Sequence, residues 1–213
     1  MIKGIVFDLD GTLVDTVELH VSTWVDACRE LGIGMDREFV RGLVGLSAED
    51  IARRLANDET QALRLARLKR RIYLARVHEV RLYPEVREAL ERLKREHGLR
   101  LAVASSTNVE TIEAVLNVKG VREFFDAMVG SDLVSRGKPD PEIFREALSR
   151  IDVNPAEAMI VGDTDYDIMP ANSLGAISVL MCRGECRGAS SRPRYIVEDL
   201  EELVRLVKKL NSP

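Results

Sequence analysis

Short apolar runs that end abruptly in polar or glycine residues constrain this chain more than any other feature. They occupy residues 3–7, 101–104, 127–129, 159–161 and 177–180, and a weaker one covers 195–197. Runs this short, with no polar alternation, suit strands buried on both faces. Helical stretches lie between them: 84–97 closing at Gly98, 109–116 after the capping residue Asn108, 141–150 and 165–174. Strands alternating with helices predict an α/β fold, a parallel sheet sandwiched by helices. Its crossovers are right-handed, so reactive groups should collect at the carboxyl ends of the strands.

One stretch breaks the alternation. Residues 15–81 hold no strand candidate, only helical patterns at 16–31, 36–44, 48–56 and 60–79, with Ser47 and Asp50 resembling a capping box. A block of roughly 65 residues is too long for a crossover helix. It predicts an all-α cap domain over 15–81, inserted into an α/β core made of 1–14 and 82–213. The basic run at 64–81 lies on the last cap helix and is expected to be a solvated face.

Composition narrows the classes. With 46% hydrophobic and 31% charged residues, the chain can bury a core, which excludes a disordered protein. No apolar run approaches a membrane span, and the N-terminus lacks a secretory pattern, so a cytoplasmic protein is expected. A net charge of −4 gives no footprint for nucleic acid, and no membrane partner is expected. Cys28, Cys182 and Cys186 are too few for a disulfide framework and lack zinc-site neighbours, so all three are expected as reduced thiols. Oligomeric state is not readable.

The chemistry concentrates after the strands. Asp8 and Asp10 follow the first run, two apart and therefore on one side. Asp163 and Asp167 follow the fourth; a helix starting there puts them one turn apart and turns Asp165 away. Carboxylates converging from neighbouring strand ends repel one another unless a cation joins them, and a hard divalent ion such as Mg²⁺ suits an all-oxygen set. Ser105, Ser106, Thr107 and Asn108 open a helix after the second run, offering hydroxyls and N–H groups to a phosphate. Lys138, held between prolines and glycine in Gly137-Lys138-Pro139-Asp140-Pro141, could neutralise charge between phosphate and carboxylate.

With FDLDGTL at 7–13, Ser105 after its strand, the Lys138-Pro139 loop and VGDTDYD at 161–167, the chain resembles the haloacid dehalogenase-like hydrolases along nearly its whole length. The resemblance implies a Rossmann-like core in which Asp8 attacks phosphorus and becomes an aspartyl phosphate. Asp10 would protonate the leaving oxygen and then activate water, with its pKa raised by neighbouring carboxylates. Ser105, with Ser106 and Asn108 beside it, would hold the phosphoryl group, and Lys138 would neutralise it. Mg²⁺ would be bound by Asp8, Asp163 and the backbone carbonyl of Asp10, with Asp167 behind them. An aspartate at position 10 points to phosphate esters, because dehalogenases lack it.

The cap resembles that of the phosphoglycolate phosphatase and β-phosphoglucomutase branch. His20 and Trp24, one turn apart, and the loop around Gly45 are expected to face the closed site. Mutases of that branch carry an arginine just after the cap-loop serine, where Ala48 stands here; Arg41 could partly substitute. Residues 11–16 and 82–84 are expected to be hinges, although Glu85 stands where the family often has glycine. The expected activity is therefore a Mg²⁺-dependent phosphatase acting on a small phosphorylated metabolite, phosphoglycolate-like or a sugar phosphate. A sugar-phosphate mutase is the alternative, and a phospho-acceptor signalling domain, usually shorter and uncapped, is a weaker one.

Overall fold

The computed structural model describes residues 1–184, 186 and 189–212. Its strands are β1 (Gly4–Phe7), β2 (Val14–Asp15), β3 (Arg81–Leu82), β4 (Arg100–Ala104), β5 (Ala127–Val129), β6 (Ala158–Gly162), β7 (Ile177–Met181) and β8 (Tyr195–Val197). Six of them form one parallel sheet in the order β5-β4-β1-β6-β7-β8. Each expected strand is present within one residue of its apolar run.

Helices α1 (Val17–Glu30), α2 (Arg37–Leu43), α3 (Ala48–Leu55) and α4 (Glu59–Ala75) all fall between β2 and β3. Helices α5 (Val86–Glu91, extended by a wide turn to Glu96), α6 (Val109–Val118), α7 (Glu142–Arg150), α8 (Asp165–Leu174) and α9 (Leu200–Asn211) flank the sheet. The sheet is buried on both faces because its side chains alternate. Ile5, Phe7, Leu101, Val103 and Val161 pack with the apolar residues of α5, α6 and α9. Val6, Ala102, Ala104 and Ile160 meet α7 and α8 on the other face. Burial of a large side chain such as Phe144 contributes about 1.5–3 kcal/mol. The inserted helices have their own apolar cluster, built on Val21, Trp24, Val40, Leu55 and Leu65.

Helix α9 was not anticipated, although Leu200, Leu203, Val204 and Val207 repeat at helical spacing and Asp199 caps it by accepting from the Glu202 N–H at 2.8 Å. Cys182 and Cys186 are not the expected thiols: they form a disulfide with Cα atoms 4.6 Å apart, while Cys28 is free and buried. No helix among the described residues is long and apolar enough to cross a membrane.

The two crossings between the sheet and the inserted helices are joined. β2 and β3 pair antiparallel, Val14 level with Leu82 and Asp15 with Arg81. Arg183 pins the same place from the sheet side. Its guanidinium donates to the Thr12 carbonyl at 2.8 Å, pairs with Glu85 at 2.8 Å and lies 3.6 Å from the Tyr83 ring centre. The glutamate that stands in place of a hinge glycine is thus half of an ion pair.

Candidate active site

The parallel register decides where the polar residues emerge. Phe7 is level with Val103 on one side and Val161 on the other. Asp8, Ser105 and Asp163 therefore leave the sheet along one edge, and the Asp8 N–H donates to the Val161 carbonyl at 2.8 Å. Lys138 reaches the same edge from the loop before α7. Its ammonium lies 2.5 Å from Asp8 Oδ1 and 2.7 Å from Asp167 Oδ1, with only 3% of the residue exposed.

Asp8, Asp163 and Asp167 are all buried, and each offers a carboxylate oxygen within 4.8 Å of the other two. Burial lifts the Asp8 carboxyl well above the usual range; Lys138 opposes the rise, while Asp167, Asp163 and Asp10 add to it. Burial also opposes the Lys138 charge, but Asp167 and Asp8 outweigh it and hold the ammonium protonated. One lysine among three buried carboxylates leaves negative charge in excess, and an all-oxygen set of this kind suits a hard divalent cation.

Two glycines make this cluster possible. A Cβ on Gly162 would stand 2.3 Å from the Asp167 Cβ and Cγ. Asp167 needs that space because it closes a capping box at the start of α8, accepting from Thr164 N at 3.2 Å and Thr164 Oγ1 at 2.9 Å. Gly11 has φ +81°, and a Cβ there would meet Asp163 Oδ2 at 2.4 Å. Gly162→Ala is expected to destabilise the protein by about 1–3 kcal/mol through overpacking, read as a lowered Tm, with a loss of activity as Asp167 is displaced. An unaltered Tm would show that the loop accommodates the methyl group.

Asp10 faces the inserted helices rather than the acidic cluster. Its Oδ1 accepts from Thr16 Oγ1 at 2.5 Å and lies 3.0 Å from His20 Nε2. Lys69 Nζ is 2.8 Å from His20 Nδ1. An ammonium can only donate, so Nδ1 accepts and Nε2 carries the proton given to Asp10. The expected upward shift of Asp10 is corrected here: burial raises its pKa, but its contact with His20, the Thr16 hydroxyl and Lys69 outweighs that and holds it at about 2. Burial in turn lowers Lys69 to about 8.

Lys69 is the residue the sequence reading missed, having been counted in a solvated basic run. It lies one turn from both Leu65 and Tyr73, which marks the buried face of α4. Its ammonium sits 4.6 Å from the Tyr73 ring centre, and Tyr73 stacks on His20 at 4.5 Å.

The remaining expected residues divide. His20, Trp24, Gly45, Ser105 and Ser106 line one cavity with Asp8, Asp10 and Lys138. Ser106 Oγ donates to the Gly45 carbonyl at 2.8 Å, linking the loop after β4 to the inserted helices. Asn108 is spent as the cap of α6, accepting from Thr111 N at 3.0 Å, and does not line that cavity. Arg41 also lies outside it, ion-paired with Glu18 and Glu38. Asp165 turns away to Ser190 and Ser191, as the helical spacing required.

A buried carboxylate beside a lysine, with a second carboxylate two residues on and two more acidic groups within reach, thus stands at one edge of the sheet. Residues 5–181 match the model of the haloacid dehalogenase-like hydrolases, and the chain belongs to that family. It is 32% identical over 223 residues to the probable phosphatase IndB of Dickeya dadantii, covering 98% of this chain and 96% of that one. The pyrophosphatase PpaX of Bacillus mycoides is 27% identical, with 99% of each chain covered. The crystal structure of a predicted phosphoglycolate phosphatase from Haemophilus somnus superposes with a TM-score of 0.87 at 26% identity, covering 96% of this chain and 97% of that one.

Proposed function

We propose that this protein is a Mg²⁺-dependent phosphatase that hydrolyses a small phosphorylated metabolite through an aspartyl phosphate on Asp8. The observation that carries the reading is the buried Asp8–Lys138 contact, set beside Asp163 and Asp167 and open to a cavity shared with the inserted helices. Asp8 attacks phosphorus as the ester P–O bond breaks, and Asp10 gives the leaving oxygen its proton. Asp10 then takes a proton from water, which attacks the aspartyl phosphate and frees phosphate and Asp8. Lys138 and the hydroxyl of Ser105 hold the phosphoryl oxygens, while Ser106 gives its proton to the Gly45 carbonyl. Mg²⁺ held by Asp8 and Asp163 with the Asp10 carbonyl would spread the charge of the transition state.

His20 and Lys69 keep Asp10 oriented and ionised between turnovers, so Asp10 must gain its proton as substrate arrives and the cavity closes. We assign residues 15–81 as a cap moving over a core of 1–14 and 82–213, because both crossings meet in one paired ribbon. Ala48 lines the cavity without offering a charge, which favours hydrolysis over transfer between sugar positions.

A phosphate-release assay over a metabolite panel, with and without Mg²⁺, tests the reading. EDTA is expected to bring release to background and added Mg²⁺ to restore it. Turnover indifferent to chelation would remove the metal from the scheme, and no release from any phosphate ester would remove the phosphatase.

A further inference from the structure

The loop after α2 bears on the core at three places, and each is a chain neighbour of a residue in the candidate site. Ser106, next to Ser105, donates its hydroxyl to the Gly45 carbonyl at 2.8 Å. Tyr166 belongs to α8 and stands between Asp165 and Asp167, yet it packs against the apolar cluster of the inserted helices. Gly137 precedes Lys138, and a Cβ on it would stand 3.7 Å from the Ser47 Cβ.

The loop is shaped for this seat. Val44 and Leu46 bridge across Gly45, which puts the glycine at the tip of a tight turn. Gly45 has φ +117°, a conformation that residues with a side chain rarely adopt. A Cβ there would stand 3.0 Å from the Tyr166 ring and 3.9 Å from Thr164 Cγ2. Thr164 in turn gives its N–H and hydroxyl to Asp167. The Ser105 hydroxyl stays within its own loop, accepting from the Thr107 N–H at 3.2 Å, so the two neighbouring serines have different partners.

We infer that Ser106 and Tyr166 are positioning residues: they seat the turn at 44–47 on the core, so that closing the cavity and fixing Ser105, Lys138 and Asp167 become one event. The inference rests on the phosphatase reading above and adds how closure is felt at the reacting atoms. Neither side chain is required to touch the phosphoryl group. Each acts through its neighbour, where a misplacement of roughly 1 Å can cost about 100-fold in rate.

Amide hydrogen exchange in the free protein reads the seat directly, without a substrate. Ser106→Ala is expected to speed exchange across residues 43–48 by about 10-fold, the weight of one hydrogen bond, while β6 stays as protected as in the wild type. Ser106→Thr keeps a hydroxyl and should restore the protection. Tyr166→Ala should give the same local loss, whereas Tyr166→Phe, which keeps the ring, should not. With p-nitrophenyl phosphate and Mg²⁺, kcat/KM should fall about 10-fold in Ser106→Ala and recover in Ser106→Thr.

Wild-type exchange over 43–48 in both alanine variants would overturn the inference, because the turn would then be seated by other contacts. Faster exchange with kcat/KM untouched would overturn it as well, since the seat would position nothing. No phosphate release from any ester, with the exchange differences present, counts against the phosphatase reading alone and leaves the seat standing.

Discussion

Asp8→Asn should lower phosphate release by at least about 10³-fold while the protein stays folded, as loss of a nucleophile does in enzymes whose catalytic groups act as a unit. The fold should persist because the substitution removes a buried charge that Asp163 and Asp167 repel. Lys138 keeps its second partner, Asp167, at 2.7 Å. The Tm should therefore move by no more than about 3 °C. Steady-state release and a thermal melt of the same preparation decide it; substantial residual turnover in a folded variant would mean that another group attacks phosphorus.

Lys138→Ala should damage stability as well as activity. It strips the cation from Asp8 and Asp167, both buried, and breaking a buried pair by removing one partner costs about 3–5 kcal/mol. The loss should appear as a lower denaturation midpoint in urea, and saturating Mg²⁺ should recover part of it by supplying another cation to the same oxygens. A midpoint close to that of the wild type would show that the carboxylates are neutral in the folded protein and need no counter-charge.

The sheet could be foreseen because a strand buried on both faces has no polar side to confuse its pattern, as residues 3–7 and 159–161 show. The acidic cluster was legible for a related reason: in a parallel sheet the residues after Phe7 and Val161 must leave by the same edge. Other features depend on contacts that spacing cannot show. β2 and β3 are two residues each, too short for any periodicity, and exist because they pair with one another. The state of Asp10 is set by His20 and by Lys69, 59 positions further along the chain, whereas its sequence neighbour Asp8 suggested the opposite shift. Lys69 was hidden among arginines that do face solvent, and only its helical phase distinguishes it. Asn108 and Arg41 were chosen for their chemistry, but local partners had already claimed them.

The ribbon of β2 and β3, gripped by Arg183, has a mechanical consequence. Two independent tethers would let the helical lobe twist as well as tip. For the closure proposed above, strands zipped to each other and clamped at Thr12, Tyr83 and Glu85 would act as a single axle, leaving swinging as the easy motion. Such a swing would return His20 to Asp10 and Gly45 to Ser106 in the same alignment.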